Sequence, residues 1–213
     1  MMKKHILYTI IVTLIFSFLA LTKEEDKSIY TVTYNEDTVS TVLAMEHSVE
    51  EEEISQIPFA GNAFVGFKEA VAFKESQGRY SVVNRLGYLG KYQFGKSTLK
   101  RFKIYDTHKF LNTPELQEDA FIALCSLNKW ILRRDIKRSV GKHINGVKIT
   151  ESGILAAAHL AGAGNVKKFL RTGGTYAFED ANGTTIKHYM KKFSGYNTST
   201  IRANKKPVLG EMI

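Results

Sequence analysis

The sequence predicts a mainly α domain with little or no β structure, and three features carry that prediction. Apolar residues recur at helical spacing, as in Phe64, Phe67 and Val71 and again in Val166, Phe169 and Leu170. Start and stop residues bracket such stripes: Thr113-Pro114 and Thr150 ahead of two of them, Gly78, Gly162 and Gly195 behind others. Alternating β-type patterns are sparse, the run Ile29 to Tyr34 being the main one.

Taken in order, Asn62 can cap a helix from about Ala63 to Gln77, with Gly78 as its stop. A loop with four glycines, Gly78, Gly87, Gly90 and Gly95, separates it from a short helix around Lys96 to Lys103. Thr113 is placed to cap a long helix to about Arg138, with Pro114 at its first position, where a missing N–H costs nothing. Asn145-Gly146 signals a turn and a small hairpin. Thr150 caps a helix to about Ala161, and Gly162 and Gly164 break it before a further helix. Asn182-Gly183 turns the chain into a last helix, Thr184 to Phe193.

These elements fall in residues 58–200, which the sequence marks as the folded domain, with a tail over 201–213. Ahead of it lie two different segments. Lys3, Lys4 and His5 precede an apolar run from Ile6 to Leu21 that carries no formal charge. This reads as an export signal or an N-terminal anchor over 1–22, since the run is short of the about 20 residues a spanning helix needs. Lysines ahead of the run keep the N-terminus inside and send the rest out, to the periplasm or beyond, so that any membrane contact is through this segment alone. Residues 23–57 are acidic, end in Glu50 to Glu53, and read as a solvated spacer.

Charge divides along the same boundary. Residues 1–59 hold four Lys and ten Asp or Glu, a net −6, whereas residues 60–213 hold 26 Lys or Arg and 11 Asp or Glu, a net +15. The domain should favour an anionic partner. Nucleic acid is disfavoured, because no recognition motif for it is present and the export segment points elsewhere. Cys125 is the single cysteine, so no internal disulfide forms; its apolar surroundings, Phe121 to Leu124, mark it as a buried thiol. The six histidines show no ligand spacing, and neither metal nor cofactor is expected.

Chemistry concentrates at Glu75. The stripe Phe64, Phe67, Val71, continued by four residues, reaches this carboxylate in the last turn of its helix, beside the glycine-rich loop. Partial burial disfavours the charged form, and the negative end of the helix dipole acts in the same direction, as a general acid requires. The alternative is an ordinary exposed glutamate at a helix end.

Glu75-Ser76-Gln77-Gly78, then Asn84, then Gly87 to Phe94 with Tyr92 and Gln93, then Thr98, resembles the soluble lytic transglycosylase family, whose members carry a Glu-Ser pair, a Gly-Leu-Met-Gln-type loop and a downstream Thr. Ala157-Ala158-His159-Leu160-Ala161-Gly162-Ala163-Gly164-Asn165-Val166 is similar to the family's Ala-Tyr-Asn-Ala-Gly-Pro-Gly-Asn-Val segment. Asn182-Gly183-Thr184, Tyr189 and Phe193-Ser194-Gly195 resemble the closing motif of phage-type lysozyme-like relatives. The likeness covers residues 62–196. It departs from the pattern at His159-Leu160 for Tyr-Asn, at Ala163 for Pro and at Tyr92 for Met.

The resemblance implies a lysozyme-like helical fold and Glu75 as acid and base, with Ser76, Tyr92, Gln93, His159 and Tyr189 lining the substrate cleft. The alternatives read Ser76 as a backbone-bonding hydroxyl, Tyr92 and Tyr189 as core aromatics and His159 as a packed helix residue. The implied activity is cleavage of the β-1,4 bond between N-acetylmuramic acid and N-acetylglucosamine in peptidoglycan strands, with a 1,6-anhydro product. Most glycosidases use two carboxylates, and here Glu69, Asp106 and Glu151 are candidates that no motif supports. A single acid suffices where the muramyl N-acetyl group assists departure. Hydrolysis by water, and a catalytically inactive module that binds glycan or an envelope-complex protein, are the competing functions.

Overall fold

The computed structural model describes residues 61–210. The expected export segment, the acidic spacer, the Ile29–Tyr34 strand and residues 211–213 lie outside them. The described residues are mainly helical, with one two-stranded hairpin. In chain order the elements are α1 (Phe64–Ser76), α2 (Lys96–Arg101), α3 (Thr107–Leu111), α4 (Pro114–Ser139), β1 (His143–Ile144), β2 (Val147–Lys148), α5 (Glu151–Arg171) and α6 (Ile186–Lys192).

α1 presents the expected stripe, with Phe67 and Val71 fully buried and Phe64 packed on the edge of the core. Its start differs from expectation. Ala63, not Asn62, holds the extended cap position and offers no side-chain bond, while the Asn62 carbonyl accepts from the Asn197 N–H at 2.6 Å. A tertiary contact therefore anchors this end in place of a local cap. At the other end the left-handed turn begins one residue early, at Gln77 (φ 59°), and continues through Gly78 (φ 78°). The N–H groups of the two bond back to Phe73 and Ala72.

α4 is the longest element and starts at Pro114 as expected, though the Thr113 side chain makes no capping bond. Its buried face runs from Gln117 through Phe121 and Cys125 to Leu132. Phe121 stacks on Tyr92 with ring centroids 4.1 Å apart and planes at 17°, and its ring also meets Phe67 and His159. Cys125 is 2% exposed, and burial pushes its thiol well above the ordinary range, so it is inert packing rather than a nucleophile. The Asn145-Gly146 turn closes the hairpin, with both residues at positive φ as a two-residue turn requires.

α5 packs against both α4 and α6. The Thr150 hydroxyl caps it by accepting from the Gly153 N–H at 3.1 Å. The break falls at Gly162 alone (φ 77°, ψ 150°); Gly164 stays helical, so a single residue redirects the helix. α6 is shorter than expected and is capped by Thr185, which accepts from the His188 N–H. Sequence reading did not anticipate α3, although its cap, Asp106 accepting from the Lys109 N–H at 2.9 Å, is a local signal.

Candidate active site

Glu75 lies one residue before the end of α1, on the stripe that Phe67 and Val71 bury, so the core grips the helix up to the carboxylate. Its side chain is 17% exposed and lines a small cleft of about 110 Å³. The Tyr189 hydroxyl, carried by α6, donates to Glu75 Oε1 at 2.7 Å. No other hydrogen bond reaches this carboxylate from the described residues. Burial, and then the charge of Glu75, push the Tyr189 phenol far above its ordinary range, so it stays protonated and acts as a donor.

His159 Nε2 lies 3.9 Å from Glu75 Oε1, beyond a hydrogen bond, and 2.8 Å from the Tyr92 carbonyl. A carbonyl only accepts, so Nε2 carries the proton and donates to it. Edge-on contacts with Phe94 and Phe121 fix the ring. Nδ1 is buried and has no partner among the described residues. His159 thus donates to loop backbone and not to the acid.

The loop between α1 and α2 forms the facing wall. Asn84 Oδ1 accepts from the N–H groups of Leu86 and Tyr88 and folds the loop on itself. Gly90 (φ 74°) comes so close to Gln117 that a Cβ would overlap its amide. Gln117 in turn accepts from the Lys91 N–H at 2.8 Å and donates to the Tyr80 and Phe110 carbonyls. Gln93, at φ 50°, donates from its side chain to the Gly90 carbonyl and lines the cleft.

Of the six sequence-nominated residues, the structure brings Glu75, Gln93, His159 and Tyr189 together. The other two lie elsewhere. Ser76 faces inward and donates to the Lys91 carbonyl at 2.7 Å, tying α1 to the loop. Tyr92 is fully buried, and its hydroxyl donates to Glu118 at 2.8 Å. Position 92 therefore belongs to the core behind the loop, where its ring stacks on Phe121.

Glu118 anchors a charge cluster that sequence reading missed. Lys68, Lys91, Tyr80 and Tyr92 all donate to it. Burial alone would raise its carboxyl, but the lysines and Tyr92 outweigh burial and hold it down to about 2. Lys91 also pairs with Glu69 at 2.8 Å. Glu69 is therefore engaged, as are Asp106 at its cap and Glu151, which pairs with Lys129 and accepts from Thr198.

A different carboxylate, Asp180, lines the Glu75 cleft. Its Oδ1 accepts from the N–H groups of Asn182 and Thr184, so the side chain is held by its own turn. The signal was local: an Asp two residues before Asn-Gly builds such a turn.

The cleft shares Leu86, Tyr88, Gln93, His159 and Leu160 with a larger groove of about 800 Å³ that extends toward α2 and the Gly162 break. Among the described residues no group of three or more His, Cys, Asp or Glu is placed to hold a metal ion. The arrangement offers one carboxylate with a neutral donor at the end of an open groove, which suits proton transfer to an extended ligand. The chain matches no family model, no curated protein and no solved structure.

Proposed function

We propose that this domain is a lysozyme-like lytic transglycosylase, which cleaves peptidoglycan glycan strands with Glu75 as both acid and base. One observation carries the reading: Glu75, on a rigidly packed helix, meets a groove while accepting a hydrogen bond from a single neutral hydroxyl. The ordered motifs around Glu75, His159 and Tyr189 support it. Tyr189 engages Oε1, which leaves Oε2 for the proton that passes to the glycosidic oxygen. The muramyl N-acetyl group assists departure of the leaving sugar. Glu75 then takes the proton of the muramyl 6-hydroxyl as that oxygen closes on the anomeric carbon. The reaction lies outside the cytoplasmic membrane, to which the expected export segment directs the chain.

Digestion of purified walls tests this. The released fragments should end in 1,6-anhydro-muramyl groups, lighter by one water than hydrolysed ends, and Glu75→Gln should cut their release by about a hundredfold or more. Asp180 favours a second reading, hydrolysis, because it puts another carboxylate on the same cleft. Retaining enzymes hold the two about 5 Å apart and inverting ones about 6.5–9.5 Å apart. Reducing ends from the wild type, lost in Asp180→Asn, would establish hydrolysis and overturn transglycosylation.

A further inference from the structure

The larger groove has a charge character that glycan cleavage alone does not call for. Its wall at α2 carries Lys96 and Arg101, both exposed, with Ser97 and Thr98 between them. No Asp or Glu lines this groove among the described residues. Neither cation forms an ion pair with a described carboxylate, in contrast to Lys68, Lys91 and Lys129, which are all paired. The helix that presents the two cations is short but firmly seated: Leu99 is fully buried between them, and Phe102 and Ile104 follow it into the core. Two cations without a described carboxylate partner, carried on an anchored helix along a groove, suit the recognition of carboxylates. The sugar ring oxygens of a glycan offer them no charge, whereas the peptide stems on muramyl residues end in carboxylates and project from the strand.

We propose that Lys96 and Arg101 bind the carboxylates of peptide stems, so that the groove selects peptide-bearing strands over bare ones. This rests on the glycan-cleaving reading and adds a substrate preference to it. The stem would lie along α2 while the strand runs past Gln93 and His159 to Glu75, since those residues line both compartments.

The test uses the full chain carrying Glu75→Gln, so that bound strands stay intact, with two soluble probes. One is a set of peptide-bearing glycan fragments; the other is the same set after an amidase has removed the stems and the lactyl carboxylates so freed have been capped as neutral amides. Affinity for the peptide-bearing set should be about tenfold higher at low salt, and the gap should narrow as salt screens exposed charge. Adding Lys96→Gln and Arg101→Gln should bring the peptide-bearing set down to the level of the bare set. The charge-keeping pair Lys96→Arg and Arg101→Lys should preserve the gap, which separates charge from any effect of the substitutions on folding. Equal affinity for the two sets, or a gap that survives the glutamine pair, overturns this proposal alone. Binding of neither set overturns the glycan reading together with it.

Discussion

Two carboxylates on either side of the same loop meet opposite conditions. Glu118, behind the loop, takes donors from two lysines and two tyrosines and stays charged to about pH 2. Glu75, in front of it, has one neutral donor and faces open space. Tyr92 stands between the two regions: its hydroxyl serves Glu118 while its carbonyl holds His159 beside Glu75. A carboxylate whose lone pairs are saturated by opposite charge gives up no proton at working pH and serves to hold structure. One that is gripped by packing, yet sparsely bonded, keeps a lone-pair face open to a ligand, as the proposed acid requires. The saturated region thus holds the loop rigid for the unsaturated one.

Exchanging the two defects is the sharpest way to break this contrast. Glu75→Gln keeps size and packing, so unfolding should change by less than about 1 kcal/mol, while wall cleavage falls by about a hundredfold or more. Glu118→Gln should do the reverse at first. It leaves Lys91, only 4% exposed, with Glu69 as its one remaining carboxylate, and should cost about 3 kcal/mol in urea unfolding. Replacing the cluster together, as Lys68→Met, Lys91→Met and Tyr92→Phe with Glu118→Leu, should recover part of that loss, because the partners that Glu118 leaves behind are then removed with it. Comparable losses of stability in both single variants would erase the distinction.

Acid should reach the two regions differently. The folded-state carboxyl of Glu118 sits at about 2, below its ordinary value of 4.5. A depressed folded value means that its contribution to stability is complete above the ordinary value and is lost as pH falls toward 2. Asp135, whose burial is outweighed by Arg171 and Arg138, acts in the same direction. Urea midpoints should therefore be level above pH 5 and fall between about pH 4.5 and 2, with a shallower fall in Glu118→Gln. An unchanged slope in that variant would place the acid sensitivity elsewhere.

How much of this was legible beforehand depended on range. The helices were readable because their signals are local: Thr150 caps, Gly162 breaks and Asn145-Gly146 turns, each within a few residues of its effect. Glu75 was readable because the stripe of α1 points at it. The cluster around Glu118 was not, since Lys91 and Lys68 lie 27 and 50 residues away in sequence, and on α4 the acid resembles any surface glutamate. Tyr92 was misplaced for a related reason. Its motif neighbour Gln93 lines the cleft, but the Tyr92 ring stacks on Phe121 and its hydroxyl reaches Glu118, 26 residues on, contacts that no local motif records.

The smallest effect concerns Tyr189, the one hydroxyl on Glu75 among the described residues. Tyr189→Phe keeps the ring, which is 2% exposed and packs edge-on against Phe193 with centroids 5.0 Å apart, so α6 should stay in place. The lost bond is to a carboxylate at the cleft, where water can replace part of it, and stability should change by about 1 kcal/mol. If the proposed reaction holds, catalysis should suffer more than folding, because the hydroxyl engages Oε1 and leaves Oε2 to meet the glycosidic bond. We expect kcat to fall about tenfold with KM little changed. A rise in KM with kcat intact would instead mark Tyr189 as a residue that binds the strand. No change in either would mean that the packing of α1 alone, through Phe67 and Val71, is enough to aim the acid.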